Sequence, residues 1–236
     1  MFKIFRILIV LLLCVSAFSC KKASQCPSEV TTNTNAYKNA IKYKNGTRTV
    51  LFVGMQHLAL PEFFTNVAKL VDSVKAKNGY LFYELIDDSN VTDTDLRKFR
   101  KFIGILPSAN NYAVTYPACT EIGMVGQDNK LFLQTKGGIN NFNADYTLGK
   151  MIETYETKYG KIVLTEKDKS TPLSQSTPDI LPTDNVNYVI VDARNENLAR
   201  FINSTAYNDI IVTYGSNHKD GVLRELQKLD AKWKAE

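Results

Sequence analysis

The stretch Val50-Leu51-Phe52-Val53-Gly54-Met55-Gln56-His57 decides the fold. Its first four residues are all apolar, which is typical of a strand that is covered on both faces of a sheet. The stretch ends in Gly-x-x-His, and Pro61 to Lys77 then repeats apolar residues at helical intervals. This order of strand, turn and amphipathic helix predicts an α/β or α+β fold, with helices around a mixed central sheet.

The same order recurs near the end of the chain. Ile210 to Tyr214 is a second apolar run, Gly215-Ser216-Asn217-His218 follows it, and Asp220 to Trp233 has the pattern of a helix. The chain has two histidines and 12 glycines in 236 residues, so a glycine three places before both histidines is improbable by chance. The recurrence predicts an internally duplicated architecture within a single domain, because the interval is too long for a stacking repeat.

Two further features belong to the predicted sheet. Asn45-Gly46 lies between Ala40–Lys44 and Thr47–Val53, and this dipeptide accepts the positive φ angles of a tight hairpin turn. Tyr80 to Leu85 is the next strand, with Glu84 near its end.

The rest of the chain contains helical patterns and one long polar segment. We expect helices at 93–105, 147–159 and 188–202, while residues 120–134 fit both a strand and a helix. Thr171 to Asn187 concentrates Ser, Thr, Pro and Asp, which predicts a long exposed loop. Long loops within domains are often lids over binding sites, although disorder is the commoner explanation.

The N-terminus has the pattern of a secretory signal. Residues 1–19 carry Lys3 and Arg6, then a short uncharged apolar stretch, then small residues before Cys20. A cysteine at the cleavage point resembles the lipobox of bacterial lipoproteins, so we expect an acylated Cys20 that anchors the chain to a membrane of the bacterial cell envelope. The alternative is ordinary signal cleavage with a free thiol. Residues 20–36 are polar and predict a flexible tether, followed by one domain over 37–236.

Charge and cysteine content narrow the functional classes. Loss of Lys3 and Arg6 lowers the formal charge from +5 to +3, and the remaining cations are spread among acids. Nucleic acid is therefore not an expected partner. Cys26 and Cys119 remain in an oxidising compartment, where they could pair, although nothing in the sequence fixes their distance.

Three side chains are the main candidates for chemistry. His57 and His218 follow two buried strands and Glu84 ends a third, and ligands bind at the carboxyl edge of such sheets. Gly54 and Gly215 would permit a sharp exit that turns each imidazole over this edge. Two imidazoles and a carboxylate are a ligand set for a catalytic divalent metal, or Glu84 serves instead as a general base.

Three more residues extend this set. Asp145 is either the cap of the helix at 147–159 or a further metal ligand. Arg194 could hold a substrate carboxylate or an oxyanion, and Gln127 is a weaker candidate for substrate binding. The sequence has no Gly-x-Ser-x-Gly, no P-loop and no dinucleotide-binding fingerprint.

These motifs resemble those of the TraB/PrgY/Tiki group, within the wider superfamily of erythromycin esterase and the ChaN haem-binding lipoproteins. The likeness runs from Val53 to Gly221 in the family's order, and its landmarks are Gly54–His57, Leu81–Glu84, Asn143–Asp145, Ala193–Asn195 and Gly215–Gly221. Met55-Gln56 and Ser216-Asn217 depart from the small or hydroxyl residues that relatives often place between Gly and His.

The resemblance implies a duplicated α/β fold whose halves meet at the two histidines. It implies a membrane-anchored hydrolase, peptidase or esterase, that acts on a peptide or a small ester or amide. By carry-over, His57, Glu84 and His218 hold a metal or activate water, and Arg194 contacts either the substrate or the residues that do so. Two imidazoles and one carboxylate would bind metal modestly, so we expect Asp145 or water to complete the site. Manganese or cobalt is the metal that the family suggests, and zinc is also compatible. Some esterase relatives use a histidine without an obligatory metal.

Two other functions stay open at this stage. The protein could be a lipoprotein that binds haem through His57 or His218, with Tyr112 and Tyr116 lining the pocket. It could also be a family member that sequesters peptides without cleaving them. The oligomeric state is not determined by the sequence.

Overall fold

The apolar stretch around Phe52 lies at the centre of a mixed six-stranded sheet. The computed structural model describes residues 34–106, 117–133, 140–177 and 179–236. Within these ranges the sheet order is β6-β4-β7-β2-β1-β8, and a separate pair joins β3 to β5. The strands are β1 (Ala40–Asn45), β2 (Arg48–Met55), β3 (Leu58–Ala59), β4 (Tyr80–Tyr83), β5 (Val125–Gly126), β6 (Asn141–Asn143), β7 (Asp209–Gly215) and β8 (Lys234–Ala235).

Helices flank this sheet, which confirms the predicted α/β class. They are α1 (Pro61–Lys75), α2 (Asp93–Ile103), α3 (Pro117–Glu121), α4 (Lys130–Leu133), α5 (Leu148–Tyr159), α6 (Glu166–Ser170), α7 (Thr183–Asn187), α8 (Ala193–Ser204) and α9 (Lys219–Leu229). A five-residue π-helix, Tyr188–Asp192, leads directly into α8, and short 3₁₀ turns cover Ala36–Asn39 and Ser216–His218. Among the described residues, no helix is long and apolar enough to cross a bilayer.

Both faces of the central strands are buried, as the continuous apolar runs predict. Phe52 and Val212 face α8 and α9 in one core cluster, whereas Val53 and Ile211 face α1 in another. Neighbouring residues of β2 and β7 therefore enter different cores, because successive side chains of a strand point to opposite faces. A third cluster joins α2, α5 and the π-helix beside the sheet.

The hairpin between β1 and β2 is confirmed, but its turn lies one residue later than predicted. Asn45 pairs with Arg48, so Gly46 and Thr47 occupy the turn. Gly46 has a φ of +59°, whereas Asn45 stays in the strand and donates through Nδ2 to Asp230 Oδ2 at 2.8 Å. This side-chain contact fixes Asn45 at the strand end.

The loop predicted at 171–187 is shorter than the composition suggests, and it is anchored by contacts with α2. Its last five residues form α7, because Val186 is buried in the third core cluster. Arg97 and Arg100 of α2 donate to main-chain carbonyl oxygens at the start of the segment, an arrangement that we call the carbonyl clamp. The acceptors are Asp168, Thr171, Pro172 and Gln175.

The ambiguous region at 120–134 divides into short elements. Its described part contains the end of α3, strand β5 and helix α4. Cys119 in α3 is fully buried and disulfide-bonded. Cys26 lies outside the described residues, as do the predicted signal sequence at 1–19, Cys20 and most of the predicted tether at 20–36.

Candidate functional site

Three parallel neighbours bring the predicted site residues to one edge of the sheet. β7 lies between β2 and β4 and is parallel to both, with Met55 opposite Gly215 and Tyr83 opposite Thr213. The chain then leaves these strands toward His57, Glu84 and His218. The structure thus places all three residues just beyond the carboxyl ends of adjacent strands, as the sequence predicts.

The two motif glycines allow close packing at the strand ends. Neither Gly54 nor Gly215 has a positive φ, so neither position depends on the left-handed backbone that glycine favours. A Cβ on Gly54 would lie 2.8 Å from Ser216 Oγ and 3.2 Å from the Asn39 carbonyl oxygen. A Cβ on Gly215 would lie 3.2 Å from Glu84 Oε2 and 3.4 Å from His218 Cδ2. Gly215 therefore lets a carboxylate and an imidazole meet over the strand end.

Arg194 joins the two carboxylates of the site. Its side chain is 4% exposed, its Nε donates to Asp145 Oδ1 at 2.7 Å, and one Nη donates to Asp145 Oδ2 at 2.8 Å. The same terminal nitrogen also contacts Glu84 Oε1, and the other donates to the Ile190 carbonyl oxygen of the π-helix at 2.9 Å. Burial lowers the pKa of Arg194, but its acidic neighbours outweigh that effect and raise it above the ordinary value. The guanidinium is therefore permanently charged and committed to these partners.

Asp145 is neither the cap of α5 nor free for a ligand in this arrangement. Thr147 caps the helix, because its side chain accepts a hydrogen bond from the Lys150 backbone N–H. The Asp145 side chain is fully buried and accepts from Arg194, from the Tyr214 hydroxyl at 2.8 Å and from the Tyr146 backbone N–H at 2.7 Å. It anchors the base of the site.

His218 is buried, and its ring is hydrogen-bonded to Asn195. Its ring Nδ1 lies 2.8 Å from Asn195 Oδ1, and its ring meets that of Tyr214 edge to face at 4.9 Å. Burial lowers the pKa of His218 to about 3; the positive charge of Arg194 acts in the same direction, and Asp145 opposes both. The imidazole is therefore neutral at physiological pH.

His57 occupies a different environment, although it follows the same motif. Its side chain is exposed, and its backbone carbonyl accepts a hydrogen bond from the Gln127 N–H at 3.0 Å. The two imidazoles thus leave neighbouring strands, one into the interior and one to the rim.

Gln127 connects the rim to Glu84 through a residue that the sequence analysis did not single out. Gln127 Nε2 donates to Asn129 Oδ1 at 2.7 Å, and Asn129 Nδ2 donates to the Glu84 carbonyl oxygen at 2.9 Å. Two other contributors were also missed as functional residues, Tyr214 and Asn195. Both adjoin recognised motifs, since Tyr214 precedes Gly215 and Asn195 follows Arg194, so proximity to these motifs was the available signal.

The donor set does not fit a divalent metal bound by all four predicted ligands. Both oxygens of Asp145 and both oxygens of Glu84 already accept hydrogen bonds, the latter from Arg194 and the Gly215 N–H. In the described ranges, no group of three or more His, Cys, Asp or Glu side chains is placed to hold a metal ion. What the arrangement offers is a neutral imidazole next to an ion-paired carboxylate.

Comparison of the chain with protein-family models, with curated proteins and with solved structures finds no match. The functional interpretation of the candidate site therefore rests on its geometry.

Proposed function

We propose that the protein is a hydrolase of ester or amide bonds in which His218 activates water. The observation that carries this proposal is the buried His218 ring, whose Nδ1 contacts Asn195 and whose edge lies with the Glu84 carboxylate beside Gly215. Such an imidazole keeps one nitrogen lone pair ready to accept a proton.

The proposed reaction moves one proton through this nitrogen. His218 Nε2 takes a proton from water as the water oxygen attacks the carbonyl carbon of the substrate. The imidazolium then returns the proton to the oxygen or nitrogen of the leaving group as the bond to carbon breaks. In the free protein the ring is a weak base, with a pKa of about 3. The oxyanion that develops in the transition state raises that pKa, because a nearby negative charge favours the protonated ring.

The ion pairs behind the ring supply the electrostatic background. The positive charge of Arg194 disfavours an imidazolium at His218, and the negative charge of Asp145 offsets part of that effect. In this proposal Arg194 acts by holding the two carboxylates in place. Substrate contacts fall to the rim, where His57 is exposed and Gln127 adjoins it.

The substrate class and location follow from the sequence patterns. A peptide or a small ester or amide is the proposed substrate, and an acylated Cys20 would anchor the enzyme to the bacterial cell envelope. Manganese, cobalt or zinc at His57, Glu84, His218 and Asp145 stays a prediction from the family resemblance, and such a metal would have to displace hydrogen bonds that Glu84 and Asp145 accept in this arrangement. Elemental analysis of protein purified without chelator tests it directly.

A hydrolysis assay with and without chelator tests the proposal. Chromogenic esters of increasing acyl length and a defined peptide mixture are incubated with the wild type and with His218→Gln. We expect hydrolysis of at least one class, unchanged by EDTA and lost in the variant. Hydrolysis that disappears with EDTA and returns with Mn²⁺ would establish the metal-dependent reaction instead, and equal rates for both proteins would refute the role of His218.

The same imidazole supports haem binding as a second candidate function. An imidazole with one nitrogen held by a hydrogen bond and the other available is also the usual state of a metal-bound histidine. Tyr112 and Tyr116, the other predicted contacts of haem, lie outside the described residues. A haem titration that gives a saturable shift of the absorption spectrum, abolished by His218→Gln, would favour this function over hydrolysis. Peptide binding without turnover would favour a sequestering protein.

A further inference from the structure

Asn195 is the polar contact of the His218 ring, and both residues are almost fully buried. The two side chains are 1% and 4% exposed, and His218 Nδ1 lies 2.8 Å from Asn195 Oδ1. A carbonyl oxygen carries no hydrogen, so the ring nitrogen must be the donor. The hydrogen of the neutral ring is therefore on Nδ1, and Nε2 carries the lone pair.

Gly221 provides the space in which the Asn195 side chain lies. A Cβ on Gly221 would approach Asn195 Nδ2 to 2.0 Å and Cγ to 2.8 Å, distances at which the amide would have to move. Gly221 belongs to α9, and glycine is a poorer helix former than alanine. Gly221 is thus unfavourable for helix α9, but the Asn195 amide on the neighbouring helix α8 needs the space that it leaves.

We propose that Asn195 is a positioning residue that fixes the tautomer of His218, and that Gly221 is needed for this contact. This inference rests on the proposed function, because the tautomer matters only if Nε2 has to accept a proton. With hydrogen on Nε2 instead, the ring could not take a proton from water at that nitrogen. The Asn195 amide therefore selects the reactive state of the ring without touching substrate.

Nitrogen-15 NMR of histidine-labelled protein tests the inference independently of any activity. The chain has only two histidines, so the spectrum of His57→Gln contains His218 alone. We expect the wild-type ring to have a single neutral tautomer, with hydrogen on Nδ1. A ring with hydrogen on Nε2, or one that exchanges between both tautomers, would overturn the inference.

Three variants separate positioning from general structure. In Asn195→Ala and Gly221→Ala, we expect the Nε2–H tautomer to gain population and the hydrolytic rate to fall by roughly 10- to 100-fold. In Asn195→Asp, the carboxylate still accepts from Nδ1, so the tautomer is retained while the added negative charge raises the pKa of His218. On acidification, the activity of this variant should therefore begin to fall at a higher pH than the activity of the wild type.

Asn197→Ala is the matched control. Asn197 is on the same helix, and its Nδ2 donates to the Ala144 carbonyl oxygen at 2.9 Å without contacting His218. We expect it to keep the wild-type tautomer. An unaltered tautomer in folded Asn195→Ala would refute the positioning role. If Asn195→Ala changes the tautomer but the wild-type protein hydrolyses nothing, the positioning role stands and only the proposed function is refuted.

Discussion

The two Gly-x-x-His turns have the same sequence pattern and leave paired strands, yet their histidines have opposite environments. His218 is buried against Tyr214 and Asn195, whereas His57 is exposed at the rim. The difference arises from what lies behind each turn. Helix α8 stands behind His218 and carries Arg194 and Asn195 toward it, whereas the turn after β2 continues into β3, which pairs with β5. A repeated motif thus produces one interior group and one surface group.

The largest expected effect distinguishes the two histidines by rate. Replacing the water-activating base should lower kcat by roughly 10²- to 10⁴-fold in His218→Gln. His57→Gln should mainly raise KM and lower kcat less than about tenfold, because the exposed ring meets substrate without taking the proton. Steady-state kinetics on the substrate found in the hydrolysis assay measure both. Equal losses of kcat in the two variants would mean that the histidines act as one unit.

The second prediction concerns the ion pairs behind the His218 turn. Arg194→Met leaves the buried carboxylates of Glu84 and Asp145 without their cation, which should lower the free energy of unfolding by roughly 3–5 kcal/mol. Urea denaturation measures this change. Arg200→Met is the control, since Arg200 lies on the same helix with its side chain 69% exposed and should change stability by less than about 0.5 kcal/mol. A small effect in both variants would contradict the structural importance of the cluster.

The motif glycines provide a third contrast between the turns. Gly54→Ala should destabilise the protein by about 1–3 kcal/mol, because the new Cβ meets Ser216 and a backbone oxygen. In Gly215→Ala the Cβ meets Glu84 and His218 at longer distances, so we expect a smaller loss of stability but a clear loss of rate. Thermal unfolding and kinetics on the same preparations test both. A larger loss of rate in Gly54→Ala, with a larger loss of stability in Gly215→Ala, would show that Gly54 borders the reactive groups.

The last prediction is a dependence of stability on pH, which requires no change of a residue to observe. The pKa of His218 is about 3 in the folded protein against 6.5 for the unperturbed side chain. Between these values the unfolded chain binds a proton that the folded protein does not, so stability falls as the pH falls below 6.5, by up to about 1.4 kcal/mol per pH unit. Above this window His218 makes no contribution to the slope.

Urea denaturation of wild type and His218→Gln at neutral pH and at about pH 5 isolates this contribution. We expect a shallower slope in the variant. Identical slopes in the two proteins would contradict the lowered pKa of the buried ring.

The sequence pattern was sufficient to predict the central strands and the edge at which the site lies. Apolar runs at Val50–Val53 and Ile210–Tyr214 specify strands buried on both faces, and such strands determine where the following polar residues emerge. Local details were harder to predict. The hairpin turn lies one residue later than predicted, and the side chain of Asn45 contacts Asp230, a partner that no local pattern reveals.

The relations within the site could not be predicted because they depend on packing between distant segments. Asp145 resembled a cap by its position before a helix, but Arg194, 49 residues later, recruits it into a buried ion pair. Similarly, no local pattern distinguishes His57 from His218, since burial depends on α8. The identity of the candidate residues was predictable, whereas their partners and protonation were not.

The carbonyl clamp has a consequence for how the chain tolerates change. Fully buried Arg100 donates only to main-chain oxygens of residues 168–175, and every residue type supplies the same oxygen. Much of this Ser- and Pro-rich stretch can therefore vary in side chain without losing its attachment, while the arginine that holds it cannot. We therefore expect side-chain substitutions at exposed positions of this segment to be tolerated better than the replacement of Arg100 in α2.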